Sequence, residues 1–147
     1  MSSLKISISK KGYRQIPIVI TKTNHMVIKV KLNGVKGRFI LDTGASNSCL
    51  DTEQVEHFKV QTTDSKIKAS GAGAVGMETL KSEKNRLKMS SWKTSKCNLI
   101  IFDMSHVNQA LAEYNAKPIQ GIIGADILIQ FKGIIDYKRM CFYLKKK

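Results

Sequence analysis

One aspartate of the sequence, Asp42, follows an apolar segment, where burial of an ionisable side chain costs free energy. Asp42 directly follows three bulky apolar residues, Phe39 to Leu41, and is followed by Thr43 and Gly44. A carboxylate at the end of a buried strand needs compensation, because desolvation of a charge is unfavourable. Gly44 permits a sharp turn, and the Thr43 hydroxyl can bond to the backbone of that turn. The turn could present Asp42 as a rigidly held catalytic acid, or Asp42 could simply bond local amides in an Asx turn.

Two glycine-containing elements follow Asp42 along the chain. Ala69 to Gly76 is a run of small residues with three glycines, a composition typical of a flexible hairpin tip, and it lacks the Gly-Lys-Ser/Thr ending of a phosphate loop. Ile122-Ile123-Gly124 lies about 80 residues downstream of Asp42 and is an apolar segment that ends in glycine. The chain therefore carries, in order, an acid on a turn, a glycine-rich hairpin and an apolar strand with a terminal glycine.

Most of the chain has the patterns of short strands. Apolar residues at every second position from Met26 to Leu32 predict a half-buried strand. Asn33-Gly34 is a strong signal for a hairpin turn, and Val35 to Leu41 is then the return strand. Further strands are predicted at 15–20, 66–69, 77–80, 86–89, 96–102 and 119–123, and a hairpin is predicted between residues 133 and 144.

Helical patterns are limited to short segments. Apolar residues at i, i+3, i+4 and i+7 predict a helix from Ser105 to Tyr114, capped by its first residue, and Pro118 prevents its continuation. Shorter helices are predicted from Asp51 to Phe58, capped by Asp51 or Thr52, and from Ala125 to Phe131. The sequence thus indicates a mostly-β protein with two or three short helices.

The composition is that of one domain with an ordinary core. The chain has 147 residues, and no apolar stretch approaches the roughly 18 residues of a membrane span. We expect an N-terminal strand region, partly flexible, over residues 1–24 and a single domain over residues 25–147. The three histidines are isolated and the three cysteines are widely spaced, so no metal site or disulfide framework is predicted. With no apolar signal segment at the N-terminus, the expected location is cytoplasmic.

The formal net charge of +14 raises the alternative of a polyanion-binding protein. Most of the excess is lysine, four residues are arginine, and the lysines are scattered along the chain except at Lys145 to Lys147. Arginine suits bidentate phosphate recognition, and few aromatic residues are interleaved with the lysines for base stacking. The sequence therefore favours a solvated, lysine-rich surface over a nucleic-acid-binding one.

The order of these elements resembles that of the retropepsin-like aspartic proteases, over roughly residues 25 to 144. In that family Asp-Thr-Gly carries the catalytic acid, a glycine-rich hairpin forms a flap over the substrate, and a later hydrophobic-hydrophobic-glycine strand packs beside the catalytic turn. The resemblance implies an all-β fold, a closed acid-protease barrel with two or three short helices, and a peptidase that needs no metal or organic cofactor. It also implies the site residues, which are the catalytic Asp42, the supporting Thr43 and Gly44, the flap residues Ser70, Gly71, Ala72 and Gly73, and the cleft-floor residues Ala45, Ile122, Ile123 and Gly124.

Other positions separate the chain from the viral branch of that family. Ala125 to Leu128 matches the start of the family's helix, and Ile135 to Tyr137 matches a strand end of its cellular and bacterial members. Viral members usually pair an acid with an arginine at the positions that hold Ser46 and Ala125 here. The resemblance is therefore closer to the cellular and bacterial branch. The segment from Ser90 to Lys117 is longer than in the viral enzymes, and it could cover the cleft, extend a dimer or cap the barrel.

The chain contains one Asp-Thr-Gly, whereas this chemistry needs two carboxylates facing one water. Two adjacent carboxylates cannot both ionise, so one activates the water while the other, protonated, donates to the carbonyl oxygen. A symmetric homodimer that pairs Asp42 with its twin meets this requirement. The sequence thus predicts a homodimeric endopeptidase that acts on polypeptides. The alternative is a catalytically inactive dimerisation or peptide-binding module of the same fold.

Overall fold

The computed structural model describes residues 3–65, 69–71 and 74–146. Its α-helices are α1 (Ser3–Lys10), α2 (Ser105–Glu113) and α3 (Ala125–Gln130), and a 3-10 helix covers Thr52–Gln54. Its strands are β1 (Tyr13–Pro17), β2 (Val19–Ile20), β3 (Met26–Leu32), β4 (Val35–Leu41), β5 (Cys49–Asp51), β6 (Thr63–Asp64), β7 (Ala69–Gly71), β8 (Ala74–Met77), β9 (Leu80–Met89), β10 (Trp92–Phe102), β11 (Gly121–Ile123), β12 (Ile134–Asp136) and β13 (Cys141–Lys145). Across these described ranges, no helix is long and apolar enough to cross a membrane.

Six of the strands close into a barrel. Their order is β3-β4-β11-β5-β10-β9, and β9 returns to β3 by pairing Lys88 with Lys31 and Leu87 with Leu32. β11 runs parallel to β4 and antiparallel to β5, so it fills the wall between two strands that precede it in the chain. Closure of a sheet into a ring satisfies the backbone groups that an edge strand would expose. The predicted all-β closed barrel with short helices is confirmed.

The hairpin between β3 and β4 forms where the sequence predicts it. Asn33 and Gly34 have φ angles of 52° and 85°, the left-handed pair that a tight two-residue turn requires. Leu32 then lies opposite Val35, and the exposed positions of β3 are its lysines. The alternation of apolar residues and lysines in the sequence is therefore the alternation of inside and outside in the barrel.

The core fills the inside of the barrel. Its fully buried side chains are large and apolar and include Ile28, Leu32, Phe39, Leu50, Phe58, Leu87, Met89, Trp92 and Leu99. Trp92 packs edge-on against Phe131 at a ring-centroid distance of 4.8 Å. Its Nε1 donates a 3.1 Å hydrogen bond to the carbonyl oxygen of Lys145. These contacts join the end of α3 and the last strand to the barrel.

A second sheet, in the order β1-β13-β12, brings the two ends of the chain together. The predicted terminal hairpin is confirmed as β12 and β13, and Ile16 of β1 lies in the main core. Within the region 1–24, predicted as a strand region, residues Ser3–Lys10 form α1, and β1 and β2 follow. The sequence alternates apolar and polar residues over the positions of α1 and so favours a strand. Tertiary packing overrides that preference, since Ile8 is buried in one cluster with Cys141 and Tyr143 of β13.

Two helices differ in detail from the prediction. α2 begins at Ser105 as expected, but its N-cap is Met104, without a side-chain capping bond, and Asp103 Oδ1 accepts from the Ser105 N–H at 2.8 Å. The same hydrogen bond lowers the pKa of Asp103 below its ordinary value. The helix predicted from Asp51 to Phe58 is reduced to the 3-10 helix Thr52–Gln54, with Asp51 as its cap.

The β9–β10 hairpin is longer than the two segments predicted within it. β9 begins at Leu80, although the stretch before Arg86 is rich in lysine, glutamate and asparagine, which are poor strand formers. The strand persists because charged side chains face outward, while buried Asn85 donates a 2.9 Å hydrogen bond to the Ser82 hydroxyl. Of the strand predicted at 66–69, residues 66–68 lie outside the described part of the chain.

Gly121 of β11 is enclosed between β4 and β5, which gives a test of the barrel wall. A Cβ atom at Gly121 would lie 2.5 Å from the carbonyl oxygen of Cys49 and 2.6 Å from Phe39 Cε2. Because the paired backbone cannot withdraw, Gly121→Ala should lower the free energy of unfolding by about 1–3 kcal/mol. Gly133→Ala is the matched control, since the nearest atom to its Cβ is the movable end of the Leu128 side chain. Urea unfolding measures both, and equal losses would contradict this account of β11.

Candidate active site

The turn that carries Asp42 leaves the barrel where two parallel strands end together. β4 and β11 pair in parallel, with Leu41 opposite Ile123, and these two side chains are 2% and 0% exposed. The Asp42 N–H then donates a 2.9 Å hydrogen bond to the carbonyl oxygen of Ile123. Burial of the apolar strand ends therefore fixes the point at which the acid leaves the sheet.

The Asp42-Thr43-Gly44 turn is closed by its own hydrogen bonds. Asp42 Oδ1 accepts from the Gly44 N–H at 2.9 Å, and the Asp42 carbonyl oxygen accepts from the Ala45 N–H at 3.2 Å. The local Asx turn that the sequence left as an alternative is thus present. It does not bury the acid, because Asp42, Thr43 and Gly44 are all exposed. The carboxylate is held in place by the turn and remains accessible for chemistry.

Ser48 and Asp126 hold the loop that follows the turn. Ser48 is fully buried, its N–H donates to Asp126 Oδ2 at 3.0 Å, and its hydroxyl donates to Asp126 Oδ1 at 2.8 Å. The Ser48 oxygen in turn accepts from the Gly124 N–H at 2.9 Å. Asp126 Oδ1 also accepts from the Ile127 N–H at 2.9 Å. One hydroxyl and one carboxylate therefore connect the loop after Asp42 to the end of β11 and the start of α3.

Sequence reasoning noted Asp126 only as part of a matching helix start and did not single out Ser48. An acid in the first turn of a helix is a common local feature, because it interacts favourably with the helix dipole. The partner of this acid lies 78 residues earlier in the chain, so no local pattern could pair the two residues.

Gly124 lies directly against the same loop. A Cβ atom at Gly124 would lie 2.7 Å from the carbonyl oxygen of Ala45 and 2.9 Å from the backbone of Asn47. The Ala125 N–H donates a 2.7 Å hydrogen bond to that Ala45 oxygen. The glycine of the predicted Ile122-Ile123-Gly124 element is therefore required by the close approach of two backbones.

A cavity of about 1130 Å³ opens beside the Asp42 turn. This volume exceeds that of a typical small-molecule site. Among the described residues, those that line it come from the turn, the adjoining strands, the segment before β3 and the region of α2. They include Asp42, Gly44, Ala45, Ser46, Lys22, His25, Ile40, Ile122, Asp103, His106, Ala110 and Tyr114. The acid thus faces a space wide enough for several residues of an extended chain.

Helix α2 forms one wall of this cavity. The sequence left the role of the segment from Ser90 to Lys117 open among covering the cleft, extending a dimer and capping the barrel. The Asn108 side chain donates to the carbonyl oxygen of Ile119 at 3.1 Å and accepts from the Ile119 N–H at 2.8 Å. Leu111 packs in one buried cluster with Ile119 and Ile40. The helix is therefore anchored beside the lead-in to β11 and positioned over the same end of the barrel as Asp42.

The predicted site residues occupy three settings. Ala45 and Ile122 are half-buried and line the cavity with Asp42, while Ile123 and Gly124 are buried behind the turn. Ser70 and Gly71 belong to β7, which pairs with β8 as a hairpin. Ala72 and Gly73 lie outside the described residues. The roles assigned to these residues stay predictions.

Cys49 is the thiol next to the candidate site. It is 8% exposed, and its Sγ donates to the carbonyl oxygen of Asn47 at 3.1 Å. Burial, followed by the charges of Asp126 and Asp42, raises the pKa of this thiol to about 12. A thiol that stays protonated at neutral pH is a poor nucleophile. Within the described ranges, no group of three or more histidine, cysteine or acidic side chains could hold a metal ion.

Comparison with known families identifies the class of protein. The aspartyl protease family matches residues 28–127, more than half of the chain. The chain belongs to the aspartyl protease family. The matched region of this aspartyl protease begins in β3 and ends in α3, so it contains both the Asp42 turn and the Ser48–Asp126 contact. Comparison with curated protein sequences gives no match.

Solved structures confirm the retropepsin-like fold. A retropepsin-like aspartic protease from Rickettsia conorii is 19% identical, with 90% of each chain covered and a TM-score of 0.55. The retroviral protease-like domain of Ddi1 from Leishmania major is 17% identical, with 82% of this chain and 87% of that chain covered and a TM-score of 0.57. The EIAV protease, in complex with the inhibitor HBY-793, is 20% identical, with 78% and 94% covered and a TM-score of 0.54. At these identities the likeness concerns the fold.

Removal of the Ser48 hydroxyl tests the contact behind the turn. Ser48→Ala deletes two buried hydrogen bonds and leaves the Gly124 N–H without its acceptor. The free energy of unfolding should fall by about 1–3 kcal/mol. Ser46→Ala is the matched control, because this serine of the same loop is exposed and its loss should cost less than about 0.5 kcal/mol. Urea unfolding that gives the same change for both variants would contradict the role of Ser48.

Proposed function

We propose that this chain is an aspartic endopeptidase whose active unit is a homodimer, with Asp42 of each chain at the shared two-fold axis. The observation that carries the proposal is an exposed Asp42 turn beside a cavity of about 1130 Å³ in a chain with one Asp-Thr-Gly. Membership of the aspartyl protease family supplies the class of reaction. The retropepsin-like barrel positions the acid at the end of β4.

The proposed dyad follows from the chemistry of paired carboxylates. Two acids that face one water cannot both ionise, so the pair holds one proton. The ionised acid removes a proton from the water as it attacks the peptide carbonyl, and the protonated acid donates to the carbonyl oxygen. An isologous two-fold axis places each residue near it opposite its own copy, so a second chain supplies the second Asp42.

The surroundings of Asp42 are compatible with such an axis. Thr43 and Gly44 are exposed in the single chain, as residues at a dimer contact or a cleft would be before assembly. We assign Thr43 to hydrogen bonding across the two turns and Gly44 to contact with the substrate backbone. Ala45 and Ile122 line the cavity and would form its floor, with Ile123 and Gly124 supporting the floor from behind.

The β7–β8 hairpin would act as the flap. β7 pairs with β8 in antiparallel register, with Gly71 opposite Ala74. We propose that Ser70, Gly71, Ala72 and Gly73 close over an extended polypeptide and exclude water from the reaction. A substrate held between the flap and the floor would form strand-like hydrogen bonds, and its alternate side chains would enter pockets.

The proposed compartment is the cytoplasm. Cys49, Cys97 and Cys141 are free thiols buried in separate parts of the chain. Burial raises the pKa of Cys97 to about 12, so this thiol resists oxidation and exchange. Cysteines that persist as buried thiols are consistent with a reducing compartment.

Substitution of Asp42 tests the catalytic role. Asp42→Asn removes the group that exchanges protons, so cleavage of a mixed peptide library should fall by at least about 100-fold. Dimerisation and folding should change little, because Asp42 is exposed. Asp64→Asn is the matched control, since this acid is exposed on β6 and is not among the residues that line the cavity. Mass spectrometry of the products at acidic and neutral pH, with and without pepstatin, provides the measurement.

The outcomes of this experiment separate the two candidate functions. Undiminished cleavage by Asp42→Asn would overturn the mechanism. If the wild-type chain binds peptides without cleaving them, the inactive peptide-binding module of the same fold is supported in place of the enzyme.

Mixing the wild-type chain with Asp42→Asn tests whether the site is shared. If each dimer needs both acids, an equal mixture that exchanges freely retains about one quarter of its pairs as active wild-type homodimers. The total activity should then be about half of that shown by the wild-type chain before addition of the variant. Activity that stays unchanged on addition of the variant, in a sample shown by ultracentrifugation to contain mixed dimers, would contradict a shared site.

A further inference from the structure

Four lysines that are distant in sequence form one row across the barrel wall. In the strand register Lys36 of β4 lies opposite Lys31 of β3, Lys31 lies opposite Lys88 of β9, and Lys88 lies opposite Lys93 of β10. All four side chains are exposed. Side chains directly opposite on neighbouring strands share one face of the sheet. We call this set, Lys31, Lys36, Lys88 and Lys93, the lysine row.

The lysine row is unfavourable for the folded chain by itself. Like charges directly opposite each other on paired strands are destabilising. Neither the Lys81–Glu83 ion pair nor the Arg139–Asp136 ion pair involves the row. A repulsive arrangement of this length is relieved when an anion binds across it.

A groove of about 640 Å³ runs along the same face. Arg86 and Lys96 line it together with Lys31, Lys88 and Lys93, and no acidic side chain is among its described lining residues. The apolar residues that line it, Leu87 and Phe131, are 1% and 8% exposed and belong to the core. The groove therefore presents cationic side chains and little exposed apolar surface, because the apolar residues beneath it are buried in the core.

We propose that the lysine row and its groove bind the phosphate backbone of a duplex nucleic acid, without reading its sequence. Neighbouring strands are about 4.8 Å apart, so the four lysines follow an arc of about 14 Å over the curved barrel wall. A duplex presents a phosphate for about every 1.7 Å of its axis when both strands are counted. A curved face of four or more cations without an acid can therefore neutralise several phosphates at once without reading the bases. Lysine suits such contacts as a flexible point charge.

Other polyanions fit the same face less well. A bilayer surface is bound by cations together with inserted apolar side chains, and the apolar residues of this groove are buried. Strands β3, β9 and β10 are each paired on both sides in the closed barrel, so an acidic peptide could not add to them as a further strand and would depend on charge alone. A single-stranded nucleic acid is bound largely by stacking of its bases on aromatic rings, and Phe131 is the sole aromatic residue among the described lining residues.

The lysine row lies at the end of the barrel opposite the candidate active site. Lys36 and Asp42 are on the same strand run, six residues apart, which corresponds to about 20 Å. No residue of the row lines the cavity that contains Asp42. The proposed binding activity therefore goes beyond the peptidase function and can fail or succeed independently of it.

The experiment compares two triple variants of the full chain that carry the same charge. Lys31→Gln with Lys88→Gln and Lys93→Gln removes three members of the row. Lys10→Gln with Lys117→Gln and Lys138→Gln is the matched control, because these lysines are also exposed and are not among the described lining residues of the groove. Each triple lowers the formal net charge from +14 by the same amount. Fluorescence anisotropy with a labelled DNA duplex of about 16 base pairs, which is longer than the row, is measured over a range of salt concentrations.

We expect the wild-type chain to bind this duplex with a slope of log K against log salt between about −3.6, for the four row lysines alone, and about −5.4, for contacts that include Arg86 and Lys96 of the groove. The row variant should lose about 2.7 units of that slope and at least about 10-fold in affinity, whereas the control variant should lose less than one unit. Circular dichroism and thermal melting confirm that both variants remain folded.

Several outcomes would overturn the proposal. These are the absence of salt-dependent duplex binding, an equal loss in both variants, or binding of the single strand as tight as that of the duplex. Tighter binding to phosphatidylserine vesicles or to polyglutamate than to the duplex would assign the face to a membrane or to an acidic protein instead. Peptide cleavage by the row variant should match that of the wild-type chain, which separates this proposal from the proposed peptidase.

Discussion

The parallel pairing of β4 with β11 is the constraint on which the candidate site depends. It brings two apolar strand ends to one edge of the barrel, so that the Asp42 turn and Gly124 emerge side by side. The absence of a side chain at Gly124 lets the loop from Ala45 to Asn47 rest on that junction. Ser48 and Asp126 then satisfy the polar groups that this close approach buries. A shift of β11 by one residue would exchange its inner and outer faces and remove the support of the acid.

The same junction allows a folded chain to keep Asp42 exposed, as the proposed homodimer requires. The polar atoms that would be costly to bury are bonded behind the turn, whereas the acid itself stays exposed. Folding of one chain therefore does not depend on Asp42 having a partner. Helix α2 adds a wall at this end, and its start is held by Asp51 Oδ1, which accepts from the Met104 N–H at 3.2 Å. A second chain could complete the chemistry without rearranging the first.

The parts of the fold that the sequence predicts are those with local signals. Asn33-Gly34 defines its hairpin from two residues, and the Asp42 turn is recognisable because a glycine follows an acid at the end of an apolar strand. Helix α1 could not be predicted, since its period-two pattern favours a strand until β13 is present for it to pack on. The Ser48–Asp126 contact could not be predicted either, because it joins residues 78 positions apart. The sequence therefore proposes the Asp42 turn and Gly124, whereas the Ser48–Asp126 contact that holds the neighbouring loop could only be seen in the structure.

The strand register of the barrel also changes how the positive charge of the lysines is interpreted. The sequence shows scattered lysines, and a scattered charge is normally a solvated surface. Barrel closure through β3 and β9 places Lys31 next to Lys88 and so converts separate charges into a row. Lys36 lies about 20 Å from Asp42 along β4, more than twice the Debye length of about 8 Å at physiological salt, so its interaction with the Asp42 turn is largely screened. A basic face at one end of the barrel and an acid at the other can therefore act independently, because both are exposed to solvent and the apolar core separates them.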